Sequence, residues 1–303
     1  MIGLSPAVQK NRNRFDLIIF DIDGILIDTG RSFPMAIMQS IAKYGELAGI
    51  PDLEQPSQQD IAMFKTVPGF NNDWDLDEGL LLFFLQQNIL PVPLDLTTFI
   101  AETAKAGTGL EGIKNWLFTL PSIFYQKIFS RYRPHLIRKL AMEYYAGEQY
   151  CEYLYGIKPE FGVKSGALQA EKVLVDCELF RRISQTHTIG FYSGRNEREF
   201  ELVKPKIGAE NIANQFIVYA ATGRPAKPDP IPLLNMARLC NADGIIFIGD
   251  SFDDYQTVIN FNRYYPEIQC EFVQVINRGK PFAGDISIVE NVNQLLHFLE
   301  EDK

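Results

Sequence analysis

The chain has 303 residues, 46% hydrophobic and 22% charged, a globular composition that excludes wholesale disorder and fibrous classes. At roughly 100–200 residues per domain, this length predicts two domains, or one carrying a large insertion. Its 29 basic side chains against 38 acidic ones leave a net charge of −9, a poor basis for gripping a phosphate backbone, so nucleic acid is not an expected partner.

Residues 1–14 (MIGLSPAVQKNRNR) read as a polar tail without the apolar stretch of a signal peptide. The first strand is predicted at FDLIIFD (15–21). From 33 to 165 the pattern changes to long helical stretches without a convincing strand: Phe33–Leu47, Asp77–Gln87, Gly112–Leu120 and Pro134–Tyr145, punctuated by prolines. The longest apolar run, Gly79 to Leu85 (GLLLFFL), is far short of the ~20 residues that cross a bilayer, so no membrane partner and a cytoplasmic location are expected. Strand-like runs then return at HTIGFYS (187–193), QFIVYA (215–220), GIIFIGD (244–250) and CEFVQVIN (270–277), with a helical pattern at 230–239 between two of them. Near-continuous apolar runs alternating with helices predict an α/β fold: a doubly wound, Rossmann-like parallel sheet. The expected domains are an α/β core of 1–32 and 166–303, and an all-helical domain of 33–165 inserted after the first strand.

In open α/β sheets, ligands sit outside the carboxyl ends of the strands. Those ends read DIDGILIDT (21–29), Ser193 followed by Gly194 and Arg195, KPDP (227–230) and GDSFDD (249–254). They bring Asp21, Asp23, Asp250 and Asp254 to one edge with the Ser193 hydroxyl and the Lys227 ammonium. Four crowded carboxylates repel one another unless a cation is bound, and an all-oxygen set suits a hard ion, Mg²⁺. Lys227, Ser193 and backbone N–H groups such as those following Ser193 at Gly194 can hold a phosphate. Zinc is not expected: Cys151, Cys177, Cys240 and Cys270, like the three histidines, are scattered and form no CxxC pair, as suits reduced thiols.

These four motifs, in this order, resemble the haloacid-dehalogenase superfamily of phosphatases, and the helical insertion resembles the cap of its phosphoglycolate-phosphatase-like subfamily I. The resemblance implies a Mg²⁺-dependent phosphatase of a small phosphorylated metabolite. Asp21 would be the nucleophile that forms an aspartyl-phosphate, Asp23 the general acid and then base, and Lys227 and Ser193 phosphate contacts. Asp21, Asp250 and the backbone carbonyl of Asp23 would be metal ligands, and Asp254 a ligand or its support. A phosphomutase using the same nucleophile, and a non-catalytic metabolite-sensing protein on the same fold, are the alternatives.

Several residues carry two readings. Asp28 and Thr29 read as cap or turn residues, Arg195 as a solvated residue at a helix start rather than a phosphate contact, and Asp253 as an exposed neighbour of Asp254. In the helical insertion, Lys65 and GFNNDWD (69–75), with Asn71, Asn72, Asp73 and Trp74, read either as a specificity loop or as a helix start, with Asp73 or Asp75 as N-cap and Trp74 as staple. Arg131 and Arg133 read as anion contacts or a solvated face, and the tyrosines from Tyr144 to Tyr155 as internal packing.

Overall fold

The structure, a computed structural model, describes residues 3–65, 67, 69–70, 72–221, 223–276, 281–282 and 286–300. Asn71 and Asn277, named above, lie outside these. The chain divides into two compact units, 1–29 with 172–303, and 30–171. No helix among the described residues is long and apolar enough to cross a membrane.

The first unit is built on a parallel sheet. Its strands are β1 (Leu17–Phe20), β4 (Thr188–Tyr192), β5 (Ile217–Val218), β6 (Gly244–Gly249), β7 (Gln269–Val275) and β8 (Ser287–Val289), in the order β5-β4-β1-β6-β7-β8. The intervening β2 (Ile27–Asp28) and β3 (Lys172–Val173) form a separate antiparallel pair. Side chains on the central strands alternate between two faces, and both faces are buried. Ile18, Phe20, Phe191 and Ile248 pack in one apolar cluster, and Leu17, Ile19, Tyr192 and Phe247 in the other. That two-sided burial is the physical reason for the near-continuous apolar runs in the sequence.

Register decides where the chemistry falls. Phe20 is level with Phe191 on one side and with Ile248 on the other. The next residue, Asp21, donates its N–H to Ile248 O at 2.9 Å, while Ser193 N–H reaches Val218 O at 2.9 Å. Asp21, Ser193 and Asp250 therefore leave the sheet at a common edge.

The second unit is helical: Phe33–Ala48, Gln58–Lys65, Asp73–Ile89, Leu96–Ala106, Gly109–Thr119, Ser122–Arg131 and Pro134–Tyr155. The run Gly79–Leu85 lies in its central helix, which is buried continuously from Leu76 to Gln86, and the run itself is apolar on every side for that reason. This helix starts at Asp73, not at Asp77 as the sequence pattern suggested. Its N-cap is Asn72, whose side-chain oxygen accepts from Trp74 N–H and Asp75 N–H, so neither Asp73 nor Asp75 caps it. The helix from Pro134 runs to Tyr155 rather than ending at Tyr145, across a kink at Gly147 (φ 67°).

Candidate active site

Lys227 is the hub of the strand-end cluster. Its Nζ lies 2.9 Å from Asp21 Oδ1 and 2.6 Å from Asp254 Oδ1, and the three side chains are almost wholly buried. Beneath it, the rings of Tyr192 and Phe247 stack on one another, and Nζ lies 5.7 Å from each centroid. The following residue is tied down by Asn260, whose amide donates to Pro228 O at 2.9 Å.

Asp254 gives its second oxygen to the start of its own helix, Phe252–Tyr264. Oδ2 accepts from Ser251 N–H (3.0 Å) and Ser251 Oγ (2.6 Å), and Ser251 Oγ accepts in return from Asp254 N–H. Both carboxylate oxygens of Asp254 are thus engaged, which makes it a support more than a donor to a ligand. Gly249 permits this return of the chain, since a Cβ there would lie 2.5 Å from the Asp254 side chain. Gly24 is needed for the same kind of reason: its φ is 76°, and a Cβ would lie 2.0 Å from Asp250 Oδ2.

Asp21, Asp250 and Asp254 each bring one carboxylate oxygen within 4.8 Å of the others. Among the described residues, Lys227 is the ammonium within reach of Asp21 and Asp254, with Asp250 beside them. Burial pushes the Asp21 carboxyl up to about 7; Lys227 opposes that shift, and Asp254 and Asp23 add to it. Burial would depress the Lys227 ammonium, but Asp21 and Asp254 outweigh it and hold the group above the ordinary lysine value. An all-oxygen donor set, open to solvent at Asp250, fits a hard divalent cation.

Asp23 stands apart from that cluster. Its carboxylate pairs with Arg195, whose Nε and Nη2 lie 2.9 and 2.7 Å from Oδ1. Arg195 was read as solvated; its side chain is in fact fully buried. Sequence could not fix this, because Arg at the turn after a strand is compatible with either direction. The one available signal was Asn196, which caps the next helix by itself in a box with Glu199 and leaves Arg195 inside the turn. Ser193 is buried and its Oγ accepts from Arg195 N–H at 3.2 Å, whereas Gly194 is exposed beside it. Two smaller expectations are corrected. Asp253 is half-buried, not exposed, and Asp28 lies in the short strand β2 opposite Lys172, not in a turn.

In the helical unit, Lys65 pairs with Asp73 at 2.8 Å. Trp74 packs edge-on against Phe33, Tyr145 and Tyr155. Arg131 is exposed and donates to Asn88 Oδ1, and Arg133 is exposed with its backbone N–H on the Tyr44 hydroxyl.

No protein-family model and no curated protein matches the chain. Solved structures do. The phosphatase Tt82 of Thermococcus thioreducens is 22% identical, with 94% of this chain and 99% of that one covered, at a TM-score of 0.65. A Lactobacillus delbrueckii protein described as a phosphoglycolate phosphatase is 15% identical over 95% and 100%, at 0.54. One from Haemophilus somnus with the same description is 14% identical over 95% and 99%, at 0.50. The fold is the one these phosphatase structures share. The sheet unit carries the four strand-end motifs, and the helical unit lies in the chain between the first and the second.

Proposed function

We propose that the protein is an enzyme, a Mg²⁺-dependent phosphomonoester hydrolase that acts on a small phosphorylated metabolite through a covalent phosphoryl-aspartate. The observation that carries this reading is Lys227 Nζ held between Asp21 and Asp254, with Asp250 completing an all-oxygen cluster that opens to solvent. The described phosphatase activity of structures with this fold supports it.

Asp21, Asp250 and the backbone carbonyl of Asp23 would hold Mg²⁺, with Asp254 supporting them through Lys227 and Ser251. Mg²⁺ bound there supplies the positive charge that lets a phosphate dianion approach a carboxylate. Asp21 Oδ attacks phosphorus, the bond to the leaving oxygen breaks, and Asp23 gives that oxygen a proton. Asp23 then takes a proton from the water that cleaves the Asp21–phosphoryl bond. Lys227 and the Ser193 hydroxyl hold the phosphoryl oxygens, with the backbone N–H of Gly194 as a further donor. In the same reading, residues 33–165 form a cap that selects the substrate.

The test is release of nitrophenolate from p-nitrophenyl phosphate with Mg²⁺, followed by a phosphate-release screen over phosphorylated metabolites. Turnover that stops with excess chelator is the expected result. Undiminished turnover in chelator contradicts the metal assignment, and no phosphate release from any substrate contradicts the hydrolase.

A further inference from the structure

We infer that Arg195 is the positioning residue of the acid–base carboxylate: it clamps Asp23 by Oδ1 and leaves Oδ2 as the working oxygen. The inference rests on the phosphatase reading and deepens it.

Three observations carry the clamp. The first is burial. The Arg195 side chain is 0% exposed, so its guanidinium is not presented to a phosphate arriving from solvent. A buried guanidinium is costly unless paired, and Asp23 is its partner. The second is the geometry of the pair. Nε and Nη2 converge on the same oxygen, Oδ1, instead of bridging the two. Oδ2 receives no hydrogen bond among the described residues, while the Asp23 side chain is 26% exposed. One oxygen is therefore structural and the other is open. The third is anchorage. Arg195 N–H donates to Ser193 Oγ, and Arg195 O accepts from Ala220 N–H at 2.8 Å, so its backbone is fixed across the ends of β4 and β5. The backbone on the Asp23 side is fixed as well: Ile22 O accepts from Leu26 and Ile27, and Gly24 N–H donates to Ile27 O. The torsions of the Asp23 side chain remain, and the clamp is what holds them.

A proton donor displaced by about 1 Å can lose ~10²-fold in rate, and the loss is largest where the leaving group needs the proton most. The clamp is therefore tested by a slope. kcat/KM is measured with Mg²⁺ for aryl phosphates running from p-nitrophenyl through phenyl to p-methoxyphenyl phosphate, on the wild type, Arg195→Ala, Asp23→Ala and the double variant. Arg195→Ala is expected to lose ~10²-fold on phenyl phosphate and less than about 3-fold on p-nitrophenyl phosphate, which steepens the dependence on leaving-group basicity. In the Asp23→Ala background, removing Arg195 is expected to change nothing further, because Arg195 acts through Asp23. An equal loss on every substrate, no loss at all, or additive losses in the double variant overturns the clamp. If Arg195→Ala does not fold, Arg195→Lys and Arg195→Gln carry the same series, and the slope again decides. A wild type that releases phosphate neither from this series nor from the metabolite panel would sink the phosphatase reading and the clamp together. A wild type that is active, with variants whose slope is unchanged, sinks the clamp alone.

Discussion

In the helical unit, Glu143 is fully buried and gives its oxygens to the backbone N–H groups of Glu160, Phe161 and Val163. Glu78, almost as deeply buried, accepts from Arg138 and from the Tyr132 hydroxyl. Each charge there ends on a donor of the same unit, and the result is structure. In the sheet unit, Asp21 and Asp254 share the Lys227 ammonium, and Asp250 stands beside them, exposed to solvent. The helical unit's acids are closed off from solvent, whereas the sheet unit's cluster opens to it at Asp250. Carboxylates crowded at a strand edge repel one another, and an opening to solvent there lets a cationic ligand join them.

The contrast breaks most visibly at Lys227. Lys227→Ala removes the ammonium that Asp21 and Asp254 share and is expected to lower kcat/KM by ~10²–10³-fold, whereas Ser193→Ala, which removes one neutral donor, is expected to lose ~10-fold. Equal losses in steady-state kinetics would place Lys227 away from the phosphate.

The next effect is a pH dependence. With the Asp21 carboxyl pushed up to about 7, a proton competes with the cation below that pH. Mg²⁺ affinity, measured by titration calorimetry, is expected to fall by up to ~10-fold per pH unit as pH drops below 7 and to level off above it. Affinity independent of pH between 5 and 8 would show that Asp21 is not a ligand.

The smallest effect sharpens the comparison from the helical side. Asp77 is fully buried beside Ser40, whose Oγ is within 3.1 Å of both Asp77 oxygens and 2.9 Å from Ile37 O. One hydroxyl proton cannot serve both partners, so a neutral Asp77 donating to Ser40, which donates to Ile37 O, completes the chain. Burial does hold the Asp77 carboxyl well above its ordinary value. For an acid with a raised folded-state pKa, stability is greatest below the ordinary value and is lost as pH climbs past it. Asp77→Asn is therefore expected to raise Tm by a few degrees at pH 8, about 1 kcal/mol, with the gain shrinking toward pH 5. A lower Tm at every pH would mean that Asp77 is ionised and paired.

The sheet and the strand ends that carry the candidate site are legible for a common reason. Strands buried on both faces demand unbroken apolar runs, and the catalytic candidates interrupt those runs at their ends, as Asp21 does after LIIF and Asp250 after GIIFIG. β2, β3 and β8 were missed because two or three residues cannot establish a period. The start of the central helix was missed because its first turn, Asp73-Trp74-Asp75, carries cap-like polar residues inside the helix. Arg195 was misread because nothing in a local pattern reports a partner in the first motif, 172 residues away.

The central claim is that Asp21 carries the phosphoryl group and Asp23 moves the proton. The Asp23→Asn protein, mixed with p-nitrophenyl phosphate and Mg²⁺ and quenched in acid, tests it most directly. Nitrophenolate is a good leaving group, so the first step needs little help, while hydrolysis of the intermediate still needs a base. The expected result is a burst of one nitrophenolate per site, intact-protein mass increased by one phosphoryl group, and peptide mapping that puts that group on Asp21. Asp21→Asn should show neither burst nor mass change. Steady turnover by Asp21→Asn, or a phosphoryl group found on another residue, would contradict the account.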